Sequence, residues 1–181
     1  MIHLRRRALL GAALALPATL ALPLPAARGQ QNCTDLTPQD MEGPFYKSGA
    51  PVRSSLIEPG TGGEKLVLSG MVSLTDCKPL ANVALDFWHA DEAGAYDNSG
   101  YRYRGLLRTD AQGRYRLETI LPPPYSGRPR HIHVKLQPPG GRVLTTQLYF
   151  PGESRGADRS LVVKMERREG VRNANFDFVI F

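Results

Sequence analysis

The sequence predicts an all-β fold, an antiparallel β-sandwich preceded by a long irregular arm. Three observations carry this prediction. Short runs rich in Val, Ile, Leu, Phe and Tyr recur at close spacing, several with the period-2 alternation of a half-buried strand. The 18 Gly and 15 Pro among 181 residues are scattered between these runs, where they punctuate turns. No stretch of ten residues keeps a convincing helical apolar period, so a bundle, a coiled coil or an alternating α/β chain does not fit. The length is that of one domain, and no internal repeat is visible.

Taken in order, residues 1–27 read as a leader. Arg5, Arg6 and Arg7 precede an apolar run from Ala8 to Leu24, and small residues Ala26 and Ala27 follow. A basic start, an apolar middle and a small-residue end make a signal peptide. Pro17 and Pro23 interrupt a run already shorter than the ~20 residues a spanning helix needs, so stable membrane insertion after cleavage is not expected. Arg6-Arg7-Ala8-Leu9-Leu10 resembles the twin-arginine export pattern. The expected destination is periplasmic or extracellular.

The leader also changes the meaning of the charge. The whole chain carries +6, but residues 1–27 hold three arginines and no acid, which leaves +3 for the rest. The remaining basic residues are interspersed with acids and lack a backing row of stacking aromatics, so no nucleic-acid partner is expected.

Residues 28–65 are polar, with Pro and Gly throughout, and read as the irregular arm. The sandwich is expected over 66–181. Its strand candidates are Leu66–Leu74, Asn82–Trp88, Leu106–Thr109, Arg114–Thr119, Arg130–Gln137, Arg142–Phe150 and Phe176–Phe181. Asp110-Ala111-Gln112-Gly113 reads as a hairpin turn between the third and fourth of these, with Gly where positive φ is needed. Cys33 and Cys77 are the only cysteines. In an exported chain such a pair reads as one disulfide, and neither has a nearby Cys or His to share a metal.

Three of the four histidines lie beyond the leader: His89, His131 and His133. His131-Ile132-His133 sits in the strand with the cleanest alternation. Period-2 geometry puts both imidazoles on one face with Lys135 and Gln137, and puts Ile132, Val134 and Leu136 on the other. Two imidazoles at i and i+2 can converge on one metal, although H-x-H by itself carries little specificity. Just upstream, three prolines, Pro122 to Pro124, stiffen the approach to Tyr125. Trp88-His89-Ala90-Asp91-Glu92-Ala93-Gly94-Ala95-Tyr96 ends another strand and places a tyrosine in a loop.

With these motifs the chain resembles the intradiol ring-cleavage dioxygenases, the family of catechol and protocatechuate 3,4-dioxygenases. The likeness runs from about Glu42 to Phe150. It rests on Glu42-Gly43-Pro44-Phe45-Tyr46, the Trp88–Tyr96 run, Arg104-Gly105, Thr109-Asp110 with Gly113 and Tyr115, Thr119-Ile120 through Tyr125, Arg128-Pro129-Arg130-His131-Ile132-His133, and Thr146-Gln147-Leu148-Tyr149-Phe150. The resemblance implies the intradiol type of β-sandwich and a non-haem Fe(III) held by Tyr96, Tyr125, His131 and His133. Tyr96 and His131 would be equatorial, Tyr125 and His133 axial, and Tyr101 and Tyr103 are the substitutes for Tyr96. Phenolate oxygen with imidazole suits iron better than the thiolates of zinc or copper(I) sites.

The resemblance further implies that Tyr125 is both a ligand and the base that takes a catechol proton. Arg128 would stabilise negative charge on the ring, with Gln147 beside it. The reaction is cleavage of a catechol-type ring between its two hydroxyl-bearing carbons by dioxygen, giving a muconate-type diacid. His89 matches no ligand of the family and is expected to be structural, as are Tyr115 and Tyr149.

The chain departs from the family at Pro123, where Gly is usual, at Arg130, where a small residue is common, and in having only Ser126 and Gly127 between Tyr125 and Arg128. It also lacks the long N-terminal helical domain of the catechol 1,2-dioxygenases and looks closer to a protocatechuate-type core. Two rival readings stand beside the enzyme: a non-catalytic extracellular binding module, and a zinc-dependent hydrolase. The particular catechol stays open, as does assembly into a homo-oligomer.

Overall fold

In the computed structural model, the described residues are 33–152 and 156–181; the leader expected over 1–27 lies outside them. They form nine strands and a single 3-10 turn at Arg159–Leu161. The strands are β1 Lys65–Leu74, β2 Ala84–Trp88, β3 Arg104–Arg108, β4 Arg114–Ile120, β5 His131–Gln137, β6 Leu144–Tyr149, β7 Lys164–Arg168, β8 Val171–Asn175 and β9 Phe178–Ile180. All seven expected strands are present, with ends that move by a few residues.

Two sheets face each other. One has the order β3-β2-β5-β6; the other has β4-β1-β8-β7, with β9 also on β1. Leu85 and Phe87 from β2, Ile132, Val134 and Leu136 from β5, and Leu148 from β6 meet Leu66, Leu68, Val72, Leu117, Ala174 and Phe178 from the other sheet. Each large apolar side chain removed from water here contributes about 1.5–3 kcal/mol before conformational entropy is counted.

The four-stranded sheet is antiparallel throughout. The five-stranded sheet is mixed, because β1 takes β4 antiparallel but β8 and β9 parallel. Alternation encodes which face of a strand is buried, not the direction of its neighbour, so this feature was not legible in the sequence. β8 pairs with Leu66–Ser69 and β9 with Val72–Leu74. Gly70 marks the changeover: a Cβ there would lie 1.7 Å from the Phe176 carbonyl oxygen. Across the break, Phe176 N–H donates to Ser69 O and Asp177 Oδ1 accepts from Met71 N–H.

Two strands escaped sequence reading. β7 (KMERR) is largely exposed and β8 (VRNAN) mostly polar, so neither shows an apolar stripe. The signal was in their turn, Glu169-Gly170, where both residues have positive φ (48° and 80°), the geometry of a two-residue hairpin.

The Asp110–Gly113 turn forms as expected. Gly113 has φ 72°, its N–H donates to Asp110 O, and Asp110 Oδ1 accepts from Gln112 and Arg114 N–H. The flanking strands are nevertheless not sheet partners: β3 joins β2 and β4 joins β1. The turn is a corner between the sheets, pinned where Val72 N–H donates to Gly113 O.

The arm has no strand of its own, but it is bound to the sandwich along its length. Its start is tied by the Cys33–Cys77 disulfide, with Cα atoms 5.3 Å apart. Thr37 exchanges hydrogen bonds with Val179, and Asp40 N–H donates to Thr145 O. Isolated bridges Val52–Leu106 and Ser55–Glu118 then carry it across edge strands β3 and β4, protecting edges that would otherwise offer unpaired backbone groups. Leu56 is fully buried in the core, and Gly105 permits this: a Cβ there would come within 2.6 Å of Leu56 Cδ2.

Candidate metal centre

The site is built on the outer face of the four-stranded sheet. Alternation turns Trp88 outward from β2, Arg104 from β3, His131 and His133 from β5, and Gln147 and Tyr149 from β6. Register sets them in rows: Arg104 opposite Trp88, Trp88 opposite His133, His133 opposite Gln147, and His131 opposite Tyr149. All six are buried despite facing away from the core. Their cover is the arm together with the loops after β2 and before β5.

Two aspartate-anchored turns hold Tyr96. Asp91 Oδ1 accepts from Ala93 and Ala95 N–H, and Asp97 accepts from the N–H groups of Ser99, Gly100 and Arg102. Those backbone donors hold the Asp97 carboxyl at about 2. The Tyr96 hydroxyl reaches His131 Nε2 at 3.3 Å and His133 Nε2 at 3.1 Å. Phe45, from the arm, stacks on the Tyr96 ring with centroids 4.5 Å apart.

Tyr125 and Arg128 form an isolated bridge, exchanging both backbone hydrogen bonds at 3.2 and 2.8 Å. Between them Ser126 and Gly127 have φ of 47° and 76°, which closes a two-residue turn with positive φ at both central positions. The short spacing that set this chain apart is therefore a tight hairpin that brings Tyr125 and Arg128 side by side. The Tyr125 ring stands edge-on to Tyr96 at 5.6 Å and to Phe45 at 5.9 Å. Arg128 Nη1 lies 3.3 Å from His131 Nε2, and its Nη2 donates to Gln147 Oε1 at 2.7 Å.

The imidazoles are prepared as neutral donors. His131 Nδ1 is 2.7 Å from Pro129 O, and a carbonyl can only accept, so the proton is on Nδ1 and the lone pair on Nε2. Burial, with the backbone bond to Pro129 opposing it, lowers the His131 pKa; burial with neighbouring His131 and Arg128 pushes His133 down to about 2. His133 is further fixed by Trp88, stacked at 4.8 Å and 7°, and by Gly43, where a Cβ would stand 3.4 Å from His133 Cε1. Its Nδ1 is buried without a hydrogen-bond partner.

This donor set fits a cation. Tyr96 has one proton to offer to two ring nitrogens. Two donors each about 2.1 Å from a shared ion at right angles stand about 3 Å apart, close to the separations here. Burial holds the Tyr96 hydroxyl up at about 12, opposed by the Arg128 charge, so a strongly polarising ion is needed to draw out its phenolate. Among the described residues no group of three His, Cys, Asp or Glu side chains is gathered, and the oxygen that meets both imidazoles is the Tyr96 hydroxyl.

Of the expected site residues, Tyr96, His131, His133, Arg128 and Gln147 are brought together by hydrogen-bond-length contacts, with the Tyr125 ring beside them. Tyr101 and Tyr103 are turned elsewhere, donating to Ser48 O and Glu92 Oε2. His89 is structural, as expected: its ring nitrogens are 2.7 Å from Ala90 O and from Thr119 Oγ1, and burial lowers it to about 4.

Tyr149 was expected to be an ordinary sandwich tyrosine. Its ring is buried, but its hydroxyl donates to Asp40 Oδ2 at 2.8 Å and lies 3.2 Å from Gln147 Oε1. Asp40, Trp88 and Arg104 also border the site, although the sequence assigns them no role there. Arg104 is 1% exposed and ties the arm to the Tyr96 loop through Phe45 O at 2.7 Å and Asp97 O at 3.0 Å. In the sequence it stands two residues after Arg102 in Tyr101-Arg102-Tyr103-Arg104-Gly105, so charge alone does not mark it.

Comparison with known proteins accords with this geometry. A dioxygenase family model, Dioxygenase_C, matches residues 41–179. Catechol 1,2-dioxygenase 2 of Acinetobacter lwoffii is 34% identical, over 92% of this chain and 72% of its own. Chlorocatechol 1,2-dioxygenase of Cupriavidus pinatubonensis is 33% identical, over 77% and 68%. Among solved structures, the dioxygenase domain of a dioxygenase carbohydrate-binding protein fusion from the cellulolytic bacterium Streptomyces sp. SirexAA-E superposes with a TM-score of 0.78. It is 49% identical, over 81% of this chain and 98% of that one. The 3-chlorocatechol 1,2-dioxygenase of Rhodococcus opacus 1CP gives 0.72 at 29% identity, over 79% and 72%.

The family match and the shared fold place the chain among the dioxygenases. The chain belongs to the intradiol ring-cleavage dioxygenase family.

Proposed function

We propose that the protein is an exported, iron(III)-dependent dioxygenase that cleaves plant-derived catechols outside the cytoplasm. The observation that carries the reading is the convergence of Tyr96 Oη on Nε2 of both His131 and His133, within 3.3 Å. Tyr96, Tyr125, His131 and His133 would hold the iron, whose Lewis acidity would draw electron density from a bound catecholate and open its ring to dioxygen. The remaining work falls to the chain. Tyr125 Oη takes a proton from the catechol as general base. The Arg128 guanidinium faces negative charge growing on the ring, and Gln147 Oε1 fixes its direction. Phe45 and Trp88 keep water from Tyr96 and His133 by stacking on them.

Export is supported by the basic and apolar leader and by the Cys33–Cys77 disulfide, a bond that persists in oxidising compartments. A plant source for the substrate is supported by the 49% identity to the dioxygenase domain from a cellulolytic bacterium.

The test uses protein recovered from the exported fraction. It should be coloured by tyrosinate-to-iron charge transfer, hold one iron per site, and convert catechol to a muconate-type diacid with both atoms of labelled dioxygen incorporated. A colourless protein holding zinc, or one that binds catechol without turnover, would overturn the reading, and retention in the cytoplasm would overturn export.

A further inference from the structure

We propose that Asp40 of the arm and Tyr149 of β6 are positioning residues for Arg128, so that the arm sets the catalytic arginine as well as covering it. This rests on the reading of the site as an intradiol centre.

The argument is a count of protons. Arg128 Nη2 has two acceptors in reach, Gln147 Oε1 at 2.7 Å and, more weakly, Tyr149 Oη at 3.5 Å. Tyr149 has one hydroxyl proton and two places to put it: Asp40 Oδ2 at 2.8 Å and Gln147 Oε1 at 3.2 Å. The shorter, charge-assisted bond to the carboxylate takes it. The phenol oxygen then turns its lone pairs to the guanidinium, and Gln147 Oε1 is left to accept from Arg128. Gln147 cannot swing its amide round, because its Nε2 donates to Met41 O at 2.6 Å. Each proton is thereby assigned, and Nη1 keeps the side toward His131 Nε2, where the candidate ligands converge. With Asp40 removed, the hydroxyl proton has only Gln147 left and opposes the N–H of Nη2.

Asp40 holds this place because the arm is fastened to β6 at three successive residues. Asp40 N–H donates to Thr145 O at 3.0 Å, Thr146 Oγ1 to Pro38 O at 2.8 Å, and Gln147 to Met41 O. Tyr149 and Gln147 are 4% and 0% exposed, so water does not replace a lost partner readily.

The experiment compares iron-loaded full-length variants: Tyr149→Phe, Asp40→Ala, Asp40→Asn and Arg128→Met, singly and as Tyr149→Phe/Arg128→Met. Tyr115→Phe is the control, since that buried hydroxyl donates to Phe176 O in the other sheet. Tyr149→Phe and Asp40→Ala should keep iron and the resting colour, lose about 10–100-fold in kcat, and move KM far less. Asp40→Asn, which still accepts the phenol proton, should recover most of the loss. In the Arg128→Met background Tyr149→Phe should cost nothing further, because its effect passes through the arginine. Tyr115→Phe should lower thermal stability and leave kcat alone. Full kcat in Tyr149→Phe, or losses that add to those of Arg128→Met, would overturn the inference while leaving the dioxygenase reading intact. A wild-type protein without intradiol product would overturn both.

Discussion

The two outer sheet faces obey the same alternation and do opposite things. On the five-stranded sheet, Lys65, Arg114 and Arg116 stand in water, and β7 at the far edge carries the exposed pair Arg168–Glu166 at 2.7 Å. On the four-stranded sheet, Arg104, His131, His133 and Gln147 face outward by the same rule, yet they are buried. The difference is the arm and loops laid over one face only. An exposed ion pair contributes about 0–1 kcal/mol. A covered polar group must find a partner or leave a cost of about 1–3 kcal/mol. The lesson is that polar residues on a strand mark a site only when something buries them, and Trp88 Nε1, Arg104 Nη2 and His133 Nδ1 stay unpartnered on the covered face.

Substitutions on the two faces should separate accordingly. The largest effect is expected from His133→Ala: iron, colour and turnover should vanish together, and stoichiometric iron with full activity would break the assignment of the covered face. Next come the two tyrosines of that face. Tyr125→Phe should keep iron and lose about 10²–10⁴-fold in turnover, for want of the proton acceptor. Tyr96→Phe should weaken iron retention more, because its hydroxyl lies between both imidazoles. Iron content and visible spectra with and without catechol would tell them apart, and identical behaviour would refute their separate roles.

The cover itself can be loosened. Cys77→Ser should lower stability by up to about 4 kcal/mol in the chain-entropy account, measured by urea denaturation. Colour should survive in the native protein, because Thr37 and Asp40 still bind the arm to Val179 and Thr145.

His89 supplies a buried imidazole whose partners come from the fold. Burial holds it at about 4, against 6.5 when exposed. The unfolded chain takes up its proton first, so the stability from neutral His89 is complete above about pH 6.5 and is lost as pH falls toward 4. The loss is on the order of 3 kcal/mol. In metal-free protein His131 and His133, also held low, steepen the same acid limb. His89→Gln should flatten it by one proton, read from urea midpoints across pH, and an unchanged slope would refute the assignment. The smallest effect belongs to the open face: Arg116→Ala should change stability by less than about 0.5 kcal/mol and leave turnover alone.

The sequence by itself determined seven of the nine described strands and the face that carries the histidines. These depend on period-2 alternation and on short-range order such as Pro122 to Pro124 before Tyr125, and such information is local. Ordered motifs from Glu42 to Phe150 added the candidate ligands and the chemistry, through the family resemblance they carry. Tertiary structure decided the rest. It set β8 and β9 parallel to β1, because strand direction depends on a partner far along the chain. It made the Asp110–Gly113 turn a corner between sheets, because β4 pairs with β1 rather than β3. It also turned the arm from an irregular lead-in into part of the site. Asp40 and Phe45 look like surface loop residues in the sequence. They gain their roles only where β6 fastens the arm and Tyr96 meets Phe45 at 4.5 Å. A polar side chain's function depends on what shields it from water, and that shield is supplied by residues distant in the sequence.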